Sequence, residues 1–446
     1  MSKTITAIAT PKGTGGVAII RISGDEAFAV ADRVFRGKVT AQDAQPYFMN
    51  YGSFADGDRV LDQGLMVVMR APRSFTGEDV VELHCHGGAH VTKRILEATI
   101  KAGASLALPG EFTRRAFLNG KIDLLRAEAI GDIIHSETDY SLYQAVNQLD
   151  GGLSGAINEI RAALVDTAAQ IAVAADYPEE DISFEVAEQI NARLCDAKQK
   201  LDSLLMTADS GRMIREGVLC ALAGRPNTGK SSLLNALLGE KRAIVTEQEG
   251  TTRDVIEESI VHKGIRIRLA DTAGIRSGES KAEQMGIEMS RDYAKRADVC
   301  LVVLEGGEKT DEDREVLRLT ADKKRIIVLN KSDINPTQPI EGEVCVPISA
   351  LTGDGIDALR DEIVKIAGDT ECEADRVRIV NVRQKEAAIR AGESISCAIN
   401  TIDSGFPPDL CLGDVEDAIG ALGEMVGLTV SDEITDKVFA QFCLGK

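Results

Sequence analysis

Gly224-Arg225-Pro226-Asn227-Thr228-Gly229-Lys230-Ser231 fits the phosphate-loop pattern G-x-x-x-x-G-K-[ST]. An apolar run, Val218 to Ala223, leads into it and reads as a buried strand. Ser232 to Leu238 follows and reads as a helix. In that setting the glycines let backbone N–H groups approach phosphate oxygens, and the helix N-terminus favours anions. Lys230 is expected at the β- and γ-phosphates and Ser231 at Mg²⁺. A chance glycine-rich turn is the plain alternative, and it loses weight because four further motifs follow in order.

The next motif is Gly250-Thr251-Thr252-Arg253-Asp254, where a threonine can bind Mg²⁺ and sense the γ-phosphate. The strand Ile265 to Ala270 then ends in Asp271-Thr272-Ala273-Gly274. Asp271 suits the Mg²⁺ shell and the Gly274 amide suits the γ-phosphate. Strands Val299 to Leu304 and Arg325 to Leu329 follow, the second running into Asn330-Lys331-Ser332-Asp333. The Asp333 carboxylate can accept from guanine N1 and N2, donors that adenine lacks, which makes GTP the nucleotide. Ser349-Ala350, after the strand Val344 to Ile348, fits the last guanine-contacting loop. Five motifs at successive strand ends read as a doubly wound G domain.

Two details refine the chemistry. Ile275 follows Asp-Thr-Ala-Gly, where Ras-like GTPases place the glutamine that orients the attacking water. Isoleucine cannot do this. Glu283, in the polar stretch Ser277 to Gln284, is the candidate; a solvated helix-start carboxylate is the other reading, and sequence alone does not separate them. Asn227 has an oxygen that can reach a cation beside the phosphates, and Thr246 to Thr251 can add backbone carbonyls. A monovalent cation there would supply the charge that an arginine finger supplies elsewhere.

The flanks are of different character. Thr6 to Thr10, Val17 to Ile22, Gly64 to Arg70 and Asp79 to His84 are predicted strands, with a loop over 11–16. Asp56-Gly57 is read as a hairpin turn before Arg59 to Leu61. With helices predicted over Asp25 to Phe35 and Ala89 to Ala102, this is a small α+β domain. Glu82, His84 and His86 alternate on one strand face; a metal trio and a polar strand end are the two readings. Leu153 to Ile171 and Val186 to Leu204 carry apolar residues at helical spacing, as do Val415 to Val426 and Ile434 to Phe442, with Ser431 as an N-cap. Gly211 to Gly217 reads as the exit into the G domain. Helical stretches on both sides imply that the G domain is inserted into one helical domain. Expected boundaries are 1–118, 119–215, 216–376 and 377–446.

Composition sets outer limits. The chain has 446 residues and a net charge of −20. That length calls for two or three domains, and that charge argues against a surface coated for nucleic acid. Nine scattered cysteines without a C-x-x-C pair, and no signal peptide, point to reduced cytosolic thiols. No stretch approaches the ~18 apolar residues of a membrane span. Cys443 is either a nucleophile or an incidental thiol. Gly445-Lys446 departs from a prenylation box.

Together these residues resemble the MnmE (TrmE) family of tRNA uridine 5-carboxymethylaminomethyl modification GTPases. The most specific stretches are Gly110-Glu111-Phe112-Thr113-Arg114-Arg115-Ala116-Phe117-Leu118-Asn119-Gly120-Lys121, the G motifs with Asn227, and the Cys443 ending. Leu444 stands where the family usually has Ile, and Glu247-Gln248-Glu249 is more acidic than usual.

The resemblance implies an N-terminal domain similar to tetrahydrofolate-binding domains that also makes a constitutive homodimer. Arg21, Glu82 and Lys121, with Lys446 nearby, would contact a 5-formyl- or 5,10-methylene-tetrahydrofolate. It extends the GTP contacts to Asn227, Thr228, Gly229, Lys230, Ser231, Ser232, Thr246, Glu247, Gln248, Glu249, Gly250, Thr251, Thr252, Asp271, Thr272, Ala273, Gly274, Asn330, Lys331, Asp333, Ser349 and Ala350. Ser231 and Thr252 would hold Mg²⁺; Asn227, Thr246, Gln248 and Thr251 would hold K⁺; Glu283 would orient water. The family acts on cytoplasmic tRNA with the flavoprotein MnmG, which carries FAD, in a heterotetramer or larger. A folate one-carbon unit goes to C5 of the wobble uridine (position 34). The resemblance also implies a proposed catalytic role for Cys443, though flavin and folate chemistry can be written without it. Ribosome-assembly GTPases of the Era and Der type share the Asn-containing P-loop. They carry a KH-type domain after the G domain, where this chain has helices and no G-x-x-G clamp in a basic setting.

Overall fold

The computed structural model describes residues 3–176, 184–239, 257–270, 296–306, 309–335, 338–368, 376–440, 442 and 445. The chain forms two compact units: Met1–Gly131 with Gln148–Val173 and Leu412–Lys446, and Asp132–Asn147 with Ala174–Cys411.

The first unit is built on a sheet ordered β3-β4-β5-β6-β2-β1-β7. Its strands are β1 (Ile5–Ile8), β2 (Gly15–Ser23), β3 (Phe35–Gly37), β4 (Asn50–Asp56), β5 (Arg59–Met69), β6 (Val80–Gly87) and β7 (Ser105–Leu106). Alternation along β2 divides its two faces. Ala18, Ile20 and Ile22 join Val81, Leu83 and Cys85 in a core shared with α1 (Ala27–Val34) and α2 (Ala89–Lys101). Arg21 takes the opposite face, directly across from Glu82 in the β2–β6 register. There Phe112 of α3 (Glu111–Leu118) closes a small core with Ile5, Ala7 and Ala107.

The expected strands are present, with two differences. Arg59 to Leu61 and Gly64 to Met69 are one strand, with Arg70 just beyond its end, because β5 pairs with β4 from Arg59 through Met66. The loop read over 11–16 gives way to β2 at Gly15, behind a register shift between Gly15 and Ala18. Helices α4 (Leu124–His135), α5 (Asp139–Asp150) and α6 (Gly152–Asp176) follow. Ser431 caps the helix Asp432–Ala440 by accepting from the Ile434 N–H at 3.4 Å. That helix stops before Phe442, whose ring instead lies 5.5 Å from that of Phe439.

The second unit holds α7 (Phe184–Leu205), α8 (Ala208–Glu216) and a sheet ordered β13-β12-β11-β8-β10-β9. Its strands are β8 (Val218–Ala223), β9 (Glu257–His262), β10 (Ile265–Ala270), β11 (Val299–Glu305), β12 (Arg325–Asn330) and β13 (Cys345–Pro347). All neighbours pair in parallel except β9 with β10. The interiors of the central strands β8, β11 and β12 are apolar because both faces are covered. Val299, Leu301 and Val303 of β11 enter the core beneath α9 (Lys230–Leu238) and the helix Ile356–Ile366. Cys300, Val302 and Leu304 enter the opposite core with Val316 and Leu317 of the helix Asp311–Leu319.

The stretch read as an exit, Gly211 to Gly217, is mostly helix α8, and Met213 and Ile214 anchor it in the G-domain core. Its glycines read as helix breakers in sequence, yet Gly211 sits where a Cβ would meet the Ile379 carbonyl oxygen at 2.2 Å. Helix α7 packs on the helix Val382–Asp403, and the Asn191 amide donates to Asp403 at 2.7 Å. Helical segments from either side of the G domain thus meet. The fold is the expected combination of an N-terminal α+β domain, a discontinuous helical domain and an inserted doubly wound P-loop domain.

The β9–β10 turn rests on α5. Gly264 has φ +76°, and a Cβ there would lie 2.5 Å from Cδ2 and Cε2 of Tyr140, while Arg266 pairs with Glu137 at 3.0 Å. Gly264→Ala is expected to destabilise the protein by about 2–4 kcal/mol, through backbone strain plus overpacking. Urea denaturation checks this, and adding Tyr140→Ala should recover the steric part.

Candidate functional site

The P-loop leaves the carboxyl end of β8 and enters α9, the place where parallel α/β sheets bind ligands. The loop is folded on itself. The Lys230 ammonium donates to the Gly224 and Arg225 carbonyls, each at 2.8 Å, and the Thr228 hydroxyl donates to the Arg225 carbonyl at 3.0 Å. Gly229 has φ +93°, and a Cβ there would strike the Asn330 amide nitrogen at 2.3 Å. Ser231 and Ser232 are exposed on the first turn of α9, and Asn227 is exposed with φ +63°.

Asn330 joins three of the predicted motifs. Its buried side-chain amide donates to the Thr228 carbonyl at 2.8 Å, and its oxygen accepts from the Ala350 N–H at 3.1 Å. The P-loop, the Asn330–Asp333 loop and the Ser349–Ala350 loop are therefore set against one another by one amide. Ser332 N–H donates to the Ile348 carbonyl at 3.0 Å, which fixes the turn that carries exposed Asp333. Ser349 is buried, and its hydroxyl accepts from the Thr352 N–H at 3.2 Å.

Sequence reasoning did not find the ionic chain beside these loops. Arg225 donates to Glu305 at 3.0 Å and to Asp313 at 3.2 Å, and Lys331 donates to the other Glu305 oxygen at 2.8 Å. The available signal was a carboxylate at the end of a buried strand that neighbours the P-loop strand. Thr246, Glu247, Gln248, Glu249, Gly250, Thr251, Thr252, Asp271, Thr272, Ala273, Gly274 and Glu283 lie outside the described residues, as do Cys443 and Lys446.

In the N-terminal domain Arg21 and Glu82 form a two-pronged pair, with Nε and Nη2 of Arg21 both 2.9 Å from Oε1. The guanidinium sits over the Phe112 ring, 5.6 Å from its centroid, and donates to the Gly445 carbonyl at 3.4 Å. The second Glu82 oxygen is 3.3 Å from His84 Nε2. Burial pushes the Glu82 carboxyl up, but the bonds from His84 and Arg21 outweigh it and hold the group below the usual range. His86 turns to Asp62 at 2.8 Å, so Glu82, His84 and His86 do not converge. Among the described residues no three His, Cys, Asp or Glu side chains could hold a metal ion.

Lys121 donates to the Pro72 carbonyl at 3.0 Å and lines a cavity of about 510 Å³ with Asp25, Glu78, Asp79 and Asn119. Arg21 and Glu82 are not part of that lining.

Comparison with known proteins places this architecture. Residues 4–121 match the family model "GTP-binding protein TrmE N-terminus", and residues 124–443 match "MnmE helical domain". A "tRNA modification GTPase MnmE" from Ligilactobacillus salivarius (strain UCC118) is 42% identical over 455 residues, covering 99% of this chain and 98% of that protein. The protein so named from Streptococcus thermophilus (strain CNRZ 1066) is 43% identical over 449 residues, again covering 99% and 98%. The one from Acetivibrio thermocellus is 42% identical over 454 residues and covers 99% of both chains. With likeness at this level running through all three domains, the chain belongs to the MnmE family of tRNA modification GTPases.

Proposed function

We propose that the protein hydrolyses GTP and couples turnover to building an aminomethyl-type group on C5 of the wobble uridine of certain tRNAs. The observation that carries the nucleotide half is the Asn330 side chain, which spans the phosphate loop and the Ala350 amide. The family membership carries the tRNA half.

The donor set fits a nucleoside triphosphate. Gly229 lets the loop close onto the Asn330 amide, which a Cβ there would strike, and Lys230 exchanges two carbonyl acceptors for phosphate oxygens. Ser231 would hold Mg²⁺ together with Thr252. Asn227, with Thr246, Gln248 and Thr251, would hold K⁺. Bound there, the two cations neutralise charge developing on the phosphates. Glu283 orients the attacking water. A hydrolysis rate equal in K⁺ and Na⁺ would count against the K⁺ site.

Arg21, Glu82, Lys121 and Lys446 would bind the folate that donates the one-carbon unit. The Arg21–Glu82 pair supports this reading, because it offers a fixed cation and a fixed carboxylate on one sheet face beside the C-terminal segment. The N-terminal domain makes the homodimer, and the FAD-bearing flavoprotein MnmG completes the assembly in the cytoplasm.

Nucleoside mass spectrometry of tRNA from cells lacking the protein tests the whole reading. The C5-aminomethyl-type uridines should vanish, and should return with the wild-type gene but not with Lys230 or Glu283 variants. Unchanged nucleosides together with unassembled ribosomal subunits would replace it with an assembly-switch function.

A further inference from the structure

Glu305 ends β11, which lies between the strand that leads to the P-loop and the strand that leads to the Asn330–Asp333 loop. In register it faces Asn330, the last residue of β12, and β11 pairs on its other side with β8, which leads to the P-loop. Its two oxygens are divided between those loops. Oε1 takes the Lys331 ammonium at 2.8 Å and Oε2 takes the Arg225 guanidinium at 3.0 Å. Arg225 cannot swing freely, because its Nε donates at 3.2 Å to Asp313. Asp313 is itself buried and locked in the capping box of the helix Asp311–Leu319, where its other oxygen accepts from the Thr310 N–H and hydroxyl. At the other end Lys331 sits at φ +63°, a backbone region that needs outside support for a residue with a Cβ.

We infer that Glu305 is a positioning residue for guanine nucleotide. By holding Arg225 of the phosphate loop and Lys331 of the base loop on one carboxylate, it sets the spacing between the two loops that grip opposite ends of the ligand.

An exposed ion pair would contribute little. This one differs in that it is a four-membered chain, anchored at a buried carboxylate, with each member on a different loop or element. The Lys331 ammonium, with Arg225, holds the Glu305 carboxyl below the usual range, so the carboxylate stays charged at neutral pH. Preorganisation of this kind acts on ligand residence. The Glu305 side chain makes no step of hydrolysis, so turnover at saturation is spared.

The inference rests on GTP and GDP binding at the P-loop. The experiment measures dissociation of a fluorescent GDP analogue, and GTPase kinetics, for the full-length wild type, Glu305→Gln, Arg225→Gln and the double variant. Glu305→Gln should speed GDP release about tenfold and raise KM for GTP, with kcat unchanged within about twofold. The double variant should be no worse than the more severe single, because each cuts the same chain. Release from the wild type should also quicken more steeply with salt than release from Glu305→Gln. Unchanged release in Glu305→Gln overturns the inference. So do fully additive single effects, or a parallel fall in kcat and melting temperature, which marks a merely structural residue. If Glu305→Gln does not fold, Arg225→Gln alone decides, by the same release, kcat and salt criteria. A wild type that binds no GDP analogue would instead remove the nucleotide reading itself.

Discussion

Asp333→Asn is expected to weaken GTP binding by about 10²–10⁴-fold and to raise affinity for xanthosine triphosphate. The carboxylate would accept from guanine N1 and N2, and charged hydrogen bonds of this type contribute about 1.5–3 kcal/mol each. An amide can keep one acceptor but presents an N–H donor where the second N–H of guanine arrives. Xanthine carries an oxygen at that position and accepts from the amide. The switch should be clean because the backbone of the loop does not depend on the Asp333 side chain. The Ser332 N–H holds the turn to the Ile348 carbonyl, and the Asn335 N–H closes on the Lys331 carbonyl at 3.0 Å. Competition of GTP and xanthosine triphosphate against a fluorescent GDP analogue gives the ratio. If GTP affinity held and the xanthosine nucleotide gained nothing, the base preference would have to come from another residue.

Lys230→Ala is expected to lower single-turnover GTP hydrolysis by about 10²–10³-fold, the usual cost of removing one charged donor from a developing phosphate anion. It carries a second penalty visible in the fold. The ammonium bonds to both the Gly224 and Arg225 carbonyls, so its removal leaves two acceptors in the loop without that donor. Nucleotide affinity should fall along with the rate, because the ammonium that would exchange those carbonyls for phosphate oxygens is lost as a charged ligand contact. Lys230→Arg keeps the charge but not the compact ammonium, and should restore little. Full wobble-uridine modification in cells carrying Lys230→Ala would show that modification does not need GTP turnover.

The amino-acid sequence by itself determined the nucleotide-binding domain. The P-loop, the Asn330–Asp333 loop and the Ser349–Ala350 loop each follow a largely apolar strand, and their chemistry depends on a few consecutive residues whose backbone needs are written into their identities. Gly229 at a positive φ and Lys230 opening α9 are local properties. Periodicity likewise marked α6 and α7, because an amphipathic helix repeats its apolar face every few residues. The MnmE resemblance, carried by whole motifs, extended that reading to every domain.

Only the tertiary structure decided which charged groups meet. Arg21 and Glu82 are 61 residues apart, and Arg225 and Glu305 are 80 apart. No window of sequence contains both members of either pair. Helix α7 finds its partner across the whole inserted domain, with Asn191 and Asp403 separated by 212 residues. Helix α8 was hidden because Gly211 lowers local helix propensity, while its packing against Ile379 pays that cost. In each case a non-local contact outweighed or completed what the local sequence prefers, because the free energy of burial and ion pairing depends on where the chain returns, and strand order and register set that.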